Sequence, residues 1–229
     1  MIVGADNDGC RLSAQMTVAG VILCGGLSTR MGLAKPTLPF GQETLLARVV
    51  RIVGSVARPV IVVAAAEQEI PPLSRDVKIV RDRQSGRGPL EGLCVGLSAV
   101  EDKQAAAYVS GCDTPLLAPA FIRRMAALLE DHQAAVPFID GRWHPLAAVY
   151  RPSVVVEIES LLAEDRFRLS DLCERLKARR VTADELCDVD PELRSLRNLN
   201  SPDEYLAALA VAGCTASPEV IQTLRDVRP

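Results

Sequence analysis

Aromatic residues are scarce in this sequence: Phe, Trp and Tyr make up 3% of its 229 residues, against 48% hydrophobic residues in all. A core that size with so few rings has to be built from Val, Leu, Ile and Ala, the composition of buried parallel strands covered by helices. Nor is there a surplus of cations. With 26 Lys and Arg against 29 Asp and Glu, for a net charge of −3, the chain has no basic footprint for nucleic acid, and any phosphate binding has to be local. The seven cysteines (Cys10, Cys24, Cys94, Cys112, Cys173, Cys187, Cys214) include no CxxC pair. Their odd number and scatter argue against a disulfide framework or a zinc site and point to a reducing, cytoplasmic compartment. No apolar run approaches the roughly 20 residues that a membrane span needs. The opening MIVGADNDGCRLSAQ carries acids and lacks a basic region followed by an apolar stretch, so residues 1–16 read as a short flexible leader.

What the chain does have is a regular alternation of β-branched apolar runs with segments of helical spacing. Strands are expected at 18–24 (VAGVILC), 59–66, 77–80, from 105 to just before Asp113, at 134–139 and at 177–181. Helices are expected at 43–53 with Arg48 and Arg51 outward, at 89–100, 120–131 behind Pro119, 152–162, 169–176, 202–211 behind a Ser201 cap, and weakly at 218–224. Asp140-Gly141 is a two-residue hairpin signal, and Pro145 inside RWHPLAAVY predicts an edge or bulged strand. Strand–helix alternation with right-handed crossovers predicts an α/β fold: one domain over 17–212 around an open, mostly parallel, doubly wound sheet, with a peripheral tail at 213–229. Ligands of such sheets bind beyond the carboxyl ends of the strands, and three polar clusters fall there.

The first is LCGGLSTRMGLAK, 23–35, which places three glycines, Ser28, Arg30 and Lys35 in one loop after a strand. Glycines let backbone N–H groups converge on phosphate oxygens, and Arg30 and Lys35 would neutralise the charge, one as a planar fork and one as a point charge. The spacing is neither GxxxxGK[ST] nor GxGxxG, so neither a P-loop ATPase nor a dinucleotide-binding dehydrogenase is supported. Taken alone, the loop also reads as a simple turn. The second cluster is Asp82 with RGPLEGL, 87–93, where Gly88 and Pro89 suit a ligand-facing helix start or merely a capped one. The third is SGCDTPLL, 110–117, where Asp113 follows the end of an apolar strand and Thr114-Pro115 turns the chain away, which leaves a carboxylate at the strand end. An Asp before Thr-Pro equally fits an Asx turn.

Taken together, the pattern resembles the signature LxGGxSxRMGxxK of the molybdenum-cofactor guanylyltransferases, through Leu23, Gly25, Gly26, Ser28, Arg30, Met31, Gly32 and Lys35. Cys24 stands where alanine is common, and Ala34 where an acidic residue often precedes the lysine. GPLxG at Gly88–Gly92, CDTP at Cys112–Pro115 and NLNSPDEYL from Asn198 extend the resemblance over about 18–210. It implies a Rossmann-like fold of the nucleotide-diphospho-sugar transferase type, with helices on both faces of the sheet. It further implies transfer of GMP from GTP to molybdopterin or its molybdenum-loaded form, with Mg²⁺ as cofactor, pyrophosphate as by-product, and molybdopterin-delivery proteins and apo-molybdoenzymes as further partners.

By the same resemblance, backbone groups of Leu23, Cys24, Gly25 and Gly26 hold the nucleotide, Arg30 and Lys35 screen its phosphates, Asp82 fixes the nucleoside and Asp113 binds the metal. Asn198 and Asn200 would sit beside the acceptor or the metal. His144 would face the acceptor, though a satisfied structural histidine is the other reading. Two alternatives stay open: a related cytidylyl- or sugar-phosphate nucleotidyltransferase, or a non-catalytic nucleotide- or cofactor-binding protein of the same fold.

Overall fold

The computed structural model describes residues 18–24, 34–84, 86–102 and 105–226; the expected leader lies outside them. The strands, in chain order, are β1 (Val18–Leu23), β2 (Pro39–Phe40), β3 (Glu43–Thr44), β4 (Val60–Ala64), β5 (Val77–Arg81), β6 (Ala106–Gly111), β7 (Ala134–Ile139), β8 (Arg142–Trp143), β9 (Ala147–Tyr150) and β10 (Arg179–Val181). The helices are α1 (Leu45–Gly54), α2 (Gly88–Ser98), α3 (Pro119–Ala127), α4 (Val155–Ala163), α5 (Leu169–Arg175), α6 (Pro202–Val211) and α7 (Pro218–Asp226). The main sheet runs β10-β7-β9-β6-β1-β4-β5, with β8 paired to β7. Pairing is parallel throughout except where β9 lies against β6 and β7 and where β8 meets β7.

Alternation along the strands divides the core in two. Ala19, Val21 and Leu23 of β1 face one layer with Leu90, Leu93 and Leu97 of α2, Ile158 and Leu161 of α4, and Leu172 of α5. Ile22 and Cys24 face the opposite layer with Val49 and Val53 of α1 and Phe121 and Met125 of α3. Two glycines set how closely the helices approach. A Cβ on Gly20 would lie 2.3 Å from Val53 Cγ1, and one on Gly96 would lie 2.4 Å from Val21 Cγ1. Alanine at either position overpacks the core, at a cost of about 1–3 kcal/mol.

Three expectations change. Helix α1 starts at Leu45, not Glu43, because the Thr44 hydroxyl caps it by accepting from Ala47 N, while Glu43 and Thr44 pair with Pro39–Phe40 across a turn at Gly41. Arg48 does not point outward. It donates from Nε to the Pro115 carbonyl at 2.7 Å, and its guanidinium lies 4.8 Å over the Phe40 ring. The run around Pro145, expected as one edge or bulged strand, is two strands, and β9 is interior, between β6 and β7. The His144 N–H to Pro137 carbonyl bond is the last rung before the proline. With Pro145 in the connecting turn, β9 needs no hydrogen bond that a proline nitrogen is unable to donate.

The Asp140-Gly141 turn has positive φ at both residues (49° and 74°), as a two-residue hairpin of this kind requires. A third cluster joins Leu38, Phe40 and Leu45 to Tyr205 and Leu209 of α6 and Leu224 of α7, so the chain after Gly213 packs against the segment that follows Lys35. No helix among the described residues is long and apolar enough to cross a membrane.

Candidate active site

The chain leaves β1 towards β4 and β5 on one side and returns to β6 on the other, so strand order reverses between β1 and β6. In a doubly wound sheet that reversal opens a crevice at the carboxyl edge. Leu23 and Gly111 stand side by side in register there, and Cys112 N donates to the Leu23 carbonyl at 3.0 Å.

Asp113 follows directly. Its Oδ2 accepts from Lys35 Nζ at 2.7 Å, with 17% of the lysine and 15% of the aspartate side chain exposed. Lys35 Nζ also donates to Asn200 Oδ1 at 3.1 Å. The Asn200 stretch is carried in by the Leu199 N–H, which donates to the Asp113 carbonyl at 3.0 Å. It is anchored from behind by Glu204 Oε2, which accepts from the backbone N–H groups of Asn200 and Ser201 and completes the capping box that opens α6.

The Asp113 carboxylate is not tied up in an Asx turn. Thr114 makes the local turn contacts instead: its hydroxyl donates to the Gly111 carbonyl and lies 2.9 Å from the Ser110 hydroxyl. Gly111 is required by this arrangement, since a Cβ there would stand 2.5 Å from Asp113 Oδ1. No described residue hydrogen-bonds that Oδ1. Among the described residues no three His, Cys, Asp or Glu side chains gather as a metal-binding group. Among the described residues Asp113 is the carboxylate at this point of the crevice, which fits a cation that takes one or two protein carboxylates and its remaining ligands from phosphate and water.

Asp82 ends β5, its N–H donating to the Ala64 carbonyl. Strands β4 and β1 separate it from β6 and Asp113. Its Oδ1 is buried without a hydrogen-bond partner, and its pKa is raised, first by burial and then by the charge of Glu91. Glu91, 3% exposed, is held by Arg83 Nε at 3.1 Å, and Arg83 also reaches Cys94 Sγ. Beside Asp82, α2 begins at Gly88 with φ +66° and Pro89 in its first turn, and no side chain caps it.

Gly25, Gly26 and Arg30 lie outside the described residues. Leu23 and Cys24 are buried in the sheet edge. The Cys24 N–H donates to the Val63 carbonyl and its C=O accepts from Gln68 Nε2, so both backbone groups of Cys24 are already engaged. Its thiol is held well above the usual range by the adjacent Cys112 and by burial, so it offers no thiolate. Asn198 is exposed, makes no hydrogen bond to Lys35, and lines a hollow of about 340 Å³ with Leu116, Arg197, Leu199, Glu204 and Val211. His144 sits between β8 and β9 with its pKa lowered by burial and then by Arg142, and its ring bonds to no other described residue.

Lys35, Asp113 and Asn200 are thus brought together; Asp82, Asn198 and His144 are not joined to them. Sequence reasoning missed Gln68, Gly111 and Glu204. The Ser-x-x-Glu pattern at Ser201–Glu204 signals the last, and Gln68 has no local signal because its partner is 44 residues away.

The chain matches the family described as MobA-like NTP transferase domain over residues 20–181. It is 36% identical over 206 residues to a probable molybdenum cofactor guanylyltransferase of Mycobacterium avium (strain 104), covering 88% of this chain and 99% of that protein. Molybdopterin-guanine dinucleotide biosynthesis protein A from Archaeoglobus fulgidus superposes with a TM-score of 0.71 at 21% identity, over 85% of this chain and 98% of the other. For 2-C-methyl-D-erythritol 4-phosphate cytidylyltransferase from Thermus thermophilus the TM-score is 0.64 at 17% identity, over 86% and 100%. At those identities the two structures establish the shared fold. The family match, with the identity over most of its length, makes this chain a nucleotidyltransferase that belongs to the MobA-like NTP transferase family.

Proposed function

We propose that the chain transfers GMP from GTP to molybdopterin or its molybdenum-loaded form, yielding the guanine dinucleotide cofactor and pyrophosphate. The observation that carries this reading is the meeting of Lys35, Asp113 and Asn200 at the crevice where strand order reverses. The choice of guanylyl transfer rests on the Mycobacterium avium relative, which is named for it, and on the Gly25-Gly26-x-Ser28 spacing.

A terminal phosphate oxygen of the acceptor forms a bond to the α-phosphorus of GTP. The α–β bridging P–O bond breaks, and its electron pair leaves with pyrophosphate. An anionic phosphate needs no general base, so the chain's task is positioning and charge neutralisation. A bound Mg²⁺ supplies Lewis-acid neutralisation of phosphate oxygens, and Asp113 would hold it. Lys35 carries the second positive charge and Arg30 a third. Asp82, an acceptor without a donor, takes N–H or O–H groups of the nucleoside. The backbone from Gly25 onward supplies N–H groups to phosphate, since those of Cys24 are engaged in the sheet. Asn198, at its hollow, and His144, kept neutral by burial, serve the acceptor.

The direct test is mass analysis of the pterin after incubation of the chain with GTP, Mg²⁺ and molybdopterin. The expected product carries one added guanylyl unit and appears with pyrophosphate. Preferential use of CTP in the same assay would refute guanylyl transfer, and no nucleotidyl product from any triphosphate would refute the activity.

A further inference from the structure

An ammonium group has three N–H donors. Lys35 directs two of them at acceptors of different character, the anionic Asp113 Oδ2 at 2.7 Å and the neutral Asn200 Oδ1 at 3.1 Å. Both members of the ion pair are more than four-fifths covered, so water screens their charges only partly. A cation approaching Asp113 therefore meets a positive charge already seated there. Its remaining approach is through Oδ1, which accepts from no described residue and lies against Gly111, where a Cβ would stand 2.5 Å away.

We propose that Lys35 holds the place of the divalent cation in the ligand-free site, and that Asn200 is the positioning residue that retains the ammonium when the cation takes Asp113. The proposal rests on Asp113 being the cation's ligand. Asn200 suits the task because it is neutral. It bonds the ammonium without adding a second anion for which Lys35 and the cation would compete. Its location is fixed relative to Asp113 by the Leu199 N–H to Asp113 carbonyl bond and by Glu204.

Cation and nucleotide binding are coupled as a result. Alone, the cation must displace or tolerate Lys35. Arriving with a triphosphate, it brings negative charge to which Lys35 donates its third N–H while Asn200 keeps the second. Asn200 thus acts through Lys35, a different role from contact with the acceptor.

Mn²⁺ is the probe, with free Mn²⁺ read by electron paramagnetic resonance in titrations of the full chain, with and without GTP. A like charge within ~4–6 Å disfavours a charged form by about ten- to a thousandfold, so Lys35→Met is expected to tighten Mn²⁺ binding without GTP about tenfold or more. It should also lose most of the gain that GTP gives the parent. Lys35→Arg, which keeps the charge, should stay weak without GTP. Asn200→Ala should weaken Mn²⁺ binding in the presence of GTP several-fold, and should do nothing further in a Lys35→Met background.

Unchanged or weaker Mn²⁺ binding in Lys35→Met without GTP overturns the place-holder. An undiminished Asn200→Ala effect in the Lys35→Met background overturns the positioning role. Asp113→Asn separates this inference from the reading beneath it. If that variant binds Mn²⁺ like the parent, Asp113 is not the ligand and both fall; if it abolishes binding while Lys35→Met changes nothing, the place-holder alone falls.

Discussion

Asp113 and Asp82 end two strands of the same sheet, and their surroundings are opposite. Asp113 meets a lysine at 2.7 Å, and its second oxygen, beside Gly111, accepts from no described residue. Among the described residues no cation pairs with Asp82: one oxygen is buried without a hydrogen-bond partner, and the charge of Glu91 raises its pKa beyond what burial does. A carboxylate compensated by a lysine, with one oxygen that accepts from no described residue, is suited to exchange one cation for another. An uncompensated one is suited to waiting for neutral hydrogen-bond donors, because each donor it receives removes a desolvation cost already present in the free protein. In the proposed reaction, charge handling and nucleoside reading thus fall to different strand ends of the sheet.

Four substitutions break or sharpen that contrast. Lys35→Ala is expected to have the largest effect, a loss of ~10²-fold or more in kcat, the scale of a lost transition-state contact; single-turnover kinetics with GTP and molybdopterin would show it, and undiminished turnover would remove Lys35 from the chemistry. Gly111→Ala comes next. Its methyl displaces the Asp113 carboxylate without touching its charge, and a misplacement of that kind costs up to about 10²-fold in rate. An unaffected metal titration in this variant would show that Asp113 Oδ1 is not used.

Asp82→Ala should act on binding more than on rate, raising the Kd for GTP about tenfold, as expected for one charged hydrogen-bonding partner. Calorimetry with GTP is the check, and an equal drop in kcat would merge the two sites that the structure keeps apart. The smallest effect is on stability. The folded pKa of Asp82 is raised, so its carboxylate costs stability at neutral pH and the cost disappears as pH falls through that raised value. Asp82→Asn should therefore melt on the order of 1–2 °C higher than the parent at neutral pH, with the difference closing on acidification. A difference that widens in acid would have the wrong sign.

Much of the fold was readable because its signals are local. The β-branched run of β1, the Asp140-Gly141 turn and the Ser201 cap each depend on a few neighbouring residues, and each appears where its pattern predicts. The misreadings are contacts between distant segments. Arg48 looks like an outward helix residue until the loop after Asp113 arrives to accept its hydrogen bond, and β9 looks like an edge strand until β6 and β7 close on either side of it. Of the two asparagines in NLN, local pattern does not separate Asn198 from Asn200; only the chain's path places one on Lys35 and the other on the wall of a hollow.

By itself, then, the sequence determined the alternation of elements, the doubly wound class and the three polar clusters at strand ends, since periodicity and turn chemistry act over a few residues. The tertiary structure alone decided that Lys35, Asp113 and Asn200, as much as 165 residues apart, share one ammonium, and that Asp82 stands uncompensated. Both outcomes depend on which strand ends the sheet order makes neighbours, and no local pattern encodes that.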